Sequence, residues 1–341
     1  MSAQADRQAA PLVELQGVAK RFGARPAPGR LGRALQRLGV SRPPVVTHAV
    51  DGVDLQVRPG EVVGLVGESG CGKSTLGRIA AGLLEPTQGR VLVEGRPLQS
   101  LAGPQRLAAR LRTQMVFQDP FASLNPRLRV SRIVGEAARL HGLTDAAGED
   151  DYVSAQLERA GLDPALRHRY PHQFSGGQRQ RIGITRALAV QPALLVCDEA
   201  VAALDVSIQA QILNLFMDLR DDLGLAYLFI SHDLGVIEHL CDRVAVMYLG
   251  RVVESAPVEE LFARPSHPYT KALLAEIPRI GARGTRFGAI RGEIPSPIAP
   301  PSGCHFHPRC PQAMPRCSTE VPRLRGIAVR HESACHLNEM S

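Results

Sequence analysis

Lysine and aromatic residues are scarce in this chain. Tryptophan is absent, aromatic residues make up 4% of the 341 positions, and Lys20, Lys73 and Lys271 are the only lysines. No uninterrupted apolar run approaches the length of a bilayer-spanning helix, and residues 1–10 lack the apolar core of a secretory signal. A membrane-embedded or secreted chain is therefore not expected, and the protein is expected to be made and kept in the cytoplasm. The formal net charge of +7 comes from dispersed arginine. With so few aromatics and no stacking motif, the platforms of RNA-binding modules are missing. A basic surface facing anionic lipid headgroups suits the composition better than nucleic acid.

What is present is concentrated in short motifs. Gly67-Glu68-Ser69-Gly70-Cys71-Gly72-Lys73-Ser74-Thr75 lies between the apolar run Val62 to Val66 and a helical pattern from Leu76 to Leu84. Strand, glycine-rich loop and helix in that order make a phosphate cradle. Backbone N–H groups curl round the anion, Lys73 neutralises the β- and γ-phosphates, and Ser74 offers a hydroxyl to Mg²⁺. Where lysine is this scarce, an accidental Gly-Lys-Ser is improbable. A second buried-strand run, Leu194 to Asp198, ends in Asp198 and Glu199. Asp198 suits water-mediated Mg²⁺ binding, and Glu199 can deprotonate the water that attacks the γ-phosphate. Between them, Ser175-Gly176-Gly177-Gln178 opens a helix and forms a further anion site from a hydroxyl, free amides and a dipole end.

Ser175-Gly176-Gly177-Gln178 resembles the signature motif of ABC-type ATPases, and other positions follow in that family's order. Gln118 in Val116-Phe117-Gln118-Asp119-Pro120 is similar to the Q-loop glutamine that reaches Mg²⁺. His232 in Phe229-Ile230-Ser231-His232-Asp233 resembles the switch histidine at the γ-phosphate. Asp205 resembles the D-loop aspartate. Phe22 stands where the family often stacks an aromatic on adenine, although a core phenylalanine would look the same. Ala200 and Ala202 depart from the family's usual proline and small hydroxyl residue. Neither does chemistry, so the site is expected to hydrolyse ATP.

The resemblance implies an α/β P-loop NTPase with an ABC ATP-binding domain over residues 11–256 and an inserted helical subdomain over about 119–186. Residues 257–341 form an extension. Its His267-Pro268-Tyr269 helix start and cysteine-rich end resemble the C-terminal region of ATP-binding subunits of dipeptide/oligopeptide importers. Such a subunit energises import of di- or oligopeptides, or of a related small solute, from the cytoplasmic face of the membrane. Its implied partners are a second, related ATPase subunit, two integral membrane permeases and an extracytoplasmic solute-binding protein, with no nucleic acid. Each signature loop closes on ATP held by the facing subunit. A soluble ABC ATPase acting on nucleic acid or ribosomes, or an exporter ATPase, is the alternative. The single motif set and the absence of a heptad run disfavour the soluble reading.

Four of the seven cysteines, Cys304, Cys310, Cys317 and Cys335, crowd into the extension. Cytosolic disulfides are rare, so crowded thiols there point to a metal, and their spacing alone leaves zinc and iron–sulfur open. The family resemblance implies a [4Fe–4S] cluster on these four. A mixed zinc site using His305, His307, His331 or His336 is the rival, and free thiols the bland reading. A proline-rich tail is not expected to order itself, which makes the metal a staple. Nothing in the sequence links the tail to the ATP site. Cys71, Cys197 and Cys241 read as buried small hydrophobes. An amphipathic stretch from Leu31 to Leu38, inside an insertion rich in Arg, Pro and Gly, is either a solvated loop or a membrane-surface contact.

Overall fold

The computed structural model describes residues 10–23, 45–276, 290 and 292–339, so the stretch at 31–38 lies outside the described residues. Two long strands, β1 (Val13–Phe22) and β2 (Thr47–Val57), open the chain as an antiparallel pair. The strand signal at Leu12 to Leu15 thus runs on to Phe22, past register shifts around Val18 and Lys20. β3 (Val62–Val66) is buried at every position, as its unbroken apolar run requires of a strand covered on both faces. The loop after it leads into α1 (Lys73–Ala80). The chain then returns as β4 (Gln88–Val93) and the two-residue β5 (Arg96–Pro97). A β–α–β order is legible here, yet β4 does not lie beside β3. It pairs antiparallel with β1, giving a four-stranded sheet in the order β2-β1-β4-β5.

After α2 (Gly103–Leu111) and β6 (Thr113–Val116), the chain builds helices before returning to the sheet. These are α3 (Val130–Leu140), α4 (Glu149–Arg159) and α5 (Gly176–Leu188). They bury a cluster of their own, with Val134, Val153, Leu157, Phe174 and Ile182 at its centre.

β7 (Leu194–Asp198), β8 (Ala226–Ile230) and β9 (Arg243–Tyr248) then join β3 and β6 in a parallel array ordered β9-β3-β8-β7-β6. Side chains alternate across it. Leu194 and Val196 of β7, with Leu228 of β8, face the core shared with the antiparallel sheet and α1. Leu195, Cys197, Tyr227 and Phe229 face the opposite core, which α6 (Val206–Leu223) and α7 (Leu234–Leu240) cover. Two hydrophobic faces on one sheet fix the register, because a one-residue slip would exchange them. Both lines of acidic and amide chemistry, after β6 and after β7, leave the sheet at its C-terminal edge, where open α/β sheets place their sites.

The extension does not behave as a tail. β10 (Arg251–Pro257) pairs antiparallel with β9, and α8 (Val258–Ala263) and α9 (Pro268–Ala275) follow. β11 (Arg325–Ala328) and β12 (His331–Ser333) then add to β10, so the main sheet has eight strands ordered β11-β12-β10-β9-β3-β8-β7-β6. Phe306 is 1% exposed and packs edge-on against Tyr248, with ring centroids 5.2 Å apart, and also against Tyr269. Burying such a ring stabilises by about 1.5–3 kcal/mol. Glu254 of β10 is fully buried; its carboxylate accepts from the Ser266 amide at 2.6 Å and the His267 amide at 2.9 Å, and faces His331 Nε2 at 2.7 Å. The expectation that this segment could not order itself is therefore corrected: it borrows the core of the ATP-binding unit. Among the described residues, no helix is long and apolar enough to cross a membrane.

Candidate active site

Gly67 leaves β3 with φ of 150°, and a Cβ there would lie 2.1 Å from the Met247 carbonyl oxygen. Gly72 closes the loop with φ of 107° as the N-cap of α1, where a Cβ would meet the Ala49 carbonyl at 2.1 Å. Only glycine fits at either end, which is why the loop can press against β2 and β9 while its crest, Ser69 and Gly70, stays open to solvent. Lys73 is 5% exposed; its ammonium donates to the Gly67 carbonyl at 2.7 Å and the Glu68 carbonyl at 3.1 Å. The Cys71 thiol is buried beneath the loop, and burial pushes its pKa up, so it is packing rather than chemistry.

The carboxylates converge on this loop. Ser74 Oγ donates to Asp198 Oδ1 at 2.8 Å. Burial pushes the Asp198 carboxyl above the usual carboxylate range, and the Ser74 hydroxyl, Arg78 and Lys73 pull it back in part. Glu199 follows with φ of 48°, a left-handed conformation for a non-glycine residue, which turns it out of the line of β7. Gln118 Nε2 donates to Glu199 Oε2 at 2.7 Å, and His232 Nδ1 lies 3.5 Å from Glu199 Oε1. Asp233 holds the turn that presents His232 by accepting from the amides of Gly235 and Val236. Lys73, Ser74, Gln118, Asp198, Glu199 and His232, up to 159 positions apart in the chain, thus form one constellation.

Other candidates stand elsewhere. Ser175 caps α5 by accepting from the Gln178 amide at 3.3 Å, while Gln178 Oε1 accepts from the Ser175 amide at 3.0 Å. This reciprocal box leaves Ser175 and Gly176 exposed on the helical segment, while Gly177 is buried. Asp205 is exposed at the start of α6. Phe22 is 42% exposed at the end of β1 with the Lys20 ammonium 5.4 Å from its ring centre, which removes the core reading of this side chain.

Two residues of this site were not legible in the sequence. Arg309 donates from both terminal nitrogens to the Glu68 carboxylate, at 2.7 and 2.9 Å, and that pairing raises its pKa further. Tyr269 Oη accepts from the Glu68 amide at 2.9 Å. The extension therefore touches the phosphate loop directly, which corrects the expectation that nothing joins them. The available signal was Glu68 itself: an acid inside a phosphate-binding loop calls for a countercharge.

The four cysteines of the extension gather without closing. Burial pushes the Cys304 thiol up to about 11, offset by the Phe306 amide and reinforced by the neighbouring Cys317, Cys335 and Cys310. The Gln312, Leu337 and Met314 amides face Cys310, Cys335 and Cys317 in the same way. Among the described residues, no group of three or more His, Cys, Asp or Glu side chains is arranged to hold a metal ion. One nitrogen of each neighbouring imidazole is already engaged: His305 with the Leu249 carbonyl, His307 with Cys304, His331 with Glu254 and His336 with Glu320. Cys197 and Cys241 are buried in the core, and burial pushes both thiols up.

A parallel sheet carrying this loop, with an acid pair at the end of the next strand but one, defines a P-loop ATPase of the ABC type. The ABC transporter family matches residues 50–202, and the oligopeptide/dipeptide transporter C-terminal region matches residues 253–317. An oligopeptide transport ATP-binding protein of Bacillus subtilis is 46% identical over 330 residues, covering 96% of this chain and 97% of that one. A Sinorhizobium fredii protein named a probable peptide ABC transporter ATP-binding protein is 51% identical over 293 residues, 86% of this chain and 83% of that one. Among solved structures, the cbiO1 component of a Clostridium perfringens ABC transporter complex aligns with a TM-score of 0.61 at 27% identity, covering 75% of this chain and 92% of that one. An ATP-binding cassette dimer bound to ADP and Pi aligns at 0.60 and 26% identity, over 72% of this chain and 98% of that one. The chain belongs to the ATP-binding proteins of peptide and oligopeptide ABC transporters.

Proposed function

We propose that this chain is the ATP-hydrolysing subunit that energises import of di- or oligopeptides, or a related small solute, across a membrane. The convergence of Lys73, Ser74, Gln118, Asp198, Glu199 and His232 carries the reading. A Brucella ovis relative named for peptide import, 46% identical over 326 residues (95% of this chain, 97% of that one), supports its direction. Mg²⁺, when bound, neutralises charge developing on the β- and γ-phosphates. Ser74, Gln118 and Asp198 would hold it. The loop from Gly67 to Thr75 wraps the phosphates, and Lys73 turns to them from the carbonyls it now meets. Phe22, exposed at the strand end, stacks on the base. Glu199 takes the proton of the attacking water, and Gln118 and His232 orient that carboxylate and sense the γ-phosphate.

The domain limits follow as 11–256 for the ATP-binding unit, with a helical subdomain over about 119–186, and 257–341 for the extension. Exposure of Ser175, Gly176 and Asp205 supports a signature surface that completes the ATP site of a second, related subunit. The pair works at the cytoplasmic face of the membrane, on two permease subunits served by an extracytoplasmic binding protein. Cys304, Cys310, Cys317 and Cys335 would be the ligand set for a [4Fe–4S] cluster once drawn together, since among the described residues they are not arranged to hold a metal ion. Support comes from the nearness of the thiols and from the amides aimed at them, which would stabilise thiolate sulfur in a cluster. Anaerobic protein should carry about four irons per chain; one zinc and no colour would reject the cluster. For the ATPase itself, Glu199→Gln should lower turnover about 10²–10⁴-fold and leave ATP binding intact. Wild-type turnover in that variant would remove Glu199 from its role.

A further inference from the structure

Glu68 is held at every polar group it has. Its amide donates to Tyr269 Oη at 2.9 Å, its carbonyl accepts from Lys73 at 3.1 Å and from the Cys71 amide at 3.3 Å, and its carboxylate takes both arms of Arg309. The Lys73 and Cys71 contacts are internal to the phosphate loop. The other two come from the extension, from α9 and from the turn between Cys304 and Cys310. The Arg309 side chain is 4% exposed and that of Glu68 20%, so water screens this pair poorly. Arg309 also reaches Tyr248 Oη at 3.4 Å, and Tyr248 packs on Tyr269 with centroids 4.7 Å apart. The grip on Glu68 is thus backed by the buried aromatic cluster rather than by a loose surface side chain.

A carboxylate in a phosphate loop is a liability in two ways. It repels the incoming polyphosphate, and it can capture the Lys73 ammonium that the phosphates need. An arginine fork removes both problems, since it neutralises the charge and fixes the plane of the carboxylate away from the lysine. The Tyr269 hydroxyl then orients the Gly67–Glu68 peptide, whose Gly67 carbonyl holds Lys73 in waiting. Resting on the reading that this loop binds ATP, we propose that Arg309 and Tyr269 are positioning residues for ATP binding. Through them the C-terminal extension sets the affinity of the phosphate loop, by neutralising Glu68 and fixing its peptide. A passive staple that merely docks the extension would use the same ion pair, and the two roles separate on removal of the acid.

The test measures MgATP affinity and ATPase KM and kcat on the full chain, with thermal unfolding alongside. Arg309→Ala should weaken MgATP binding and raise KM about tenfold, the scale of one uncompensated charge, with kcat changed less than threefold. Adding Glu68→Gln should bring affinity back to within threefold of wild type, because the repelling charge is gone. Tyr269→Phe should weaken binding about threefold. Arg309→Lys keeps the charge without the fork, should fall between wild type and alanine, and carries the same comparison with Glu68→Gln if the alanine chain does not fold. Binding within twofold of wild type in the Arg309 variant, or no recovery on adding Glu68→Gln, overturns the proposal in favour of the staple. A wild-type chain that fails to bind MgATP overturns instead the ATPase reading beneath it.

Discussion

Replacing His331 with alanine should release the extension from the sheet. The imidazole is 2% exposed and Glu254 is fully buried, so their 2.7 Å contact lies in a poorly solvated interior. Two backbone amides continue to satisfy the Glu254 carboxylate after the change, while the contact with Glu254 and a longer one to Glu260, at 3.8 Å, are lost. A hydrogen bond to a charged group contributes about 1.5–3 kcal/mol, and the imidazole's volume leaves a cavity on top. The sum, about 3–4 kcal/mol, stays within the range seen when one partner of a buried pair is removed. With a urea dependence of about 3 kcal/mol/M, the unfolding midpoint should fall by roughly 1 M. The same loss should bare the tail to trypsin at Arg316, Arg323, Arg325 and Arg330 before the ATP-binding unit is cut. A midpoint within 0.2 M (about 0.6 kcal/mol) of wild type, with unchanged tail cleavage, would refute the claim that this contact closes the sheet.

Acid should weaken the protein through His267. Burial first, and Lys271 second, lower its pKa from 6.5 to about 3, and its Nδ1 accepts from the Tyr269 amide at the start of α9. The unfolded chain therefore takes up that proton first, so this stability is complete above about pH 6.5 and drains away toward pH 3, by up to about 1.4 kcal/mol per unit. His267→Asn, which keeps a cap, should flatten the dependence in chemical-denaturation curves. Gly67→Ala should reduce ATP affinity by more than tenfold, since the Met247 carbonyl occupies the space its Cβ needs; binding within twofold would show that the loop yields. Phe22→Ala should weaken ATP about tenfold but inorganic triphosphate not at all, and equal losses for both would remove the stacking role.

Local chemistry was legible where a motif folds on itself. The Gly67–Thr75 loop needed its glycines for reasons visible within nine residues, and Ser175 with Gln178 announces a capping box from spacing alone. Strand burial was equally plain in Val62 to Val66 and Leu194 to Asp198. What stayed hidden depends on contacts between distant segments. Arg309 and Glu68 are 241 positions apart, and nothing near either one names the other. β4 leaves the parallel array because Val13 to Gln16 of β1 offers it a partner, a choice its own residues do not encode. β11 and β12 look like loop because their apolar content is small; the open edge of β10 makes them strands.

That edge has a consequence during synthesis. β12 follows β10 by about 75 residues, and a ribosome adds about 5–20 residues each second. For several seconds the nascent chain holds a nearly complete sheet whose outer strand has free amides, free carbonyls and a carboxylate awaiting its partners. Unpaired outer strands recruit other chains. Nascent copies on one polysome are thus most exposed to mispairing just before their last residues emerge, and a stop codon placed after Pro257 should yield aggregates rather than a smaller working ATPase.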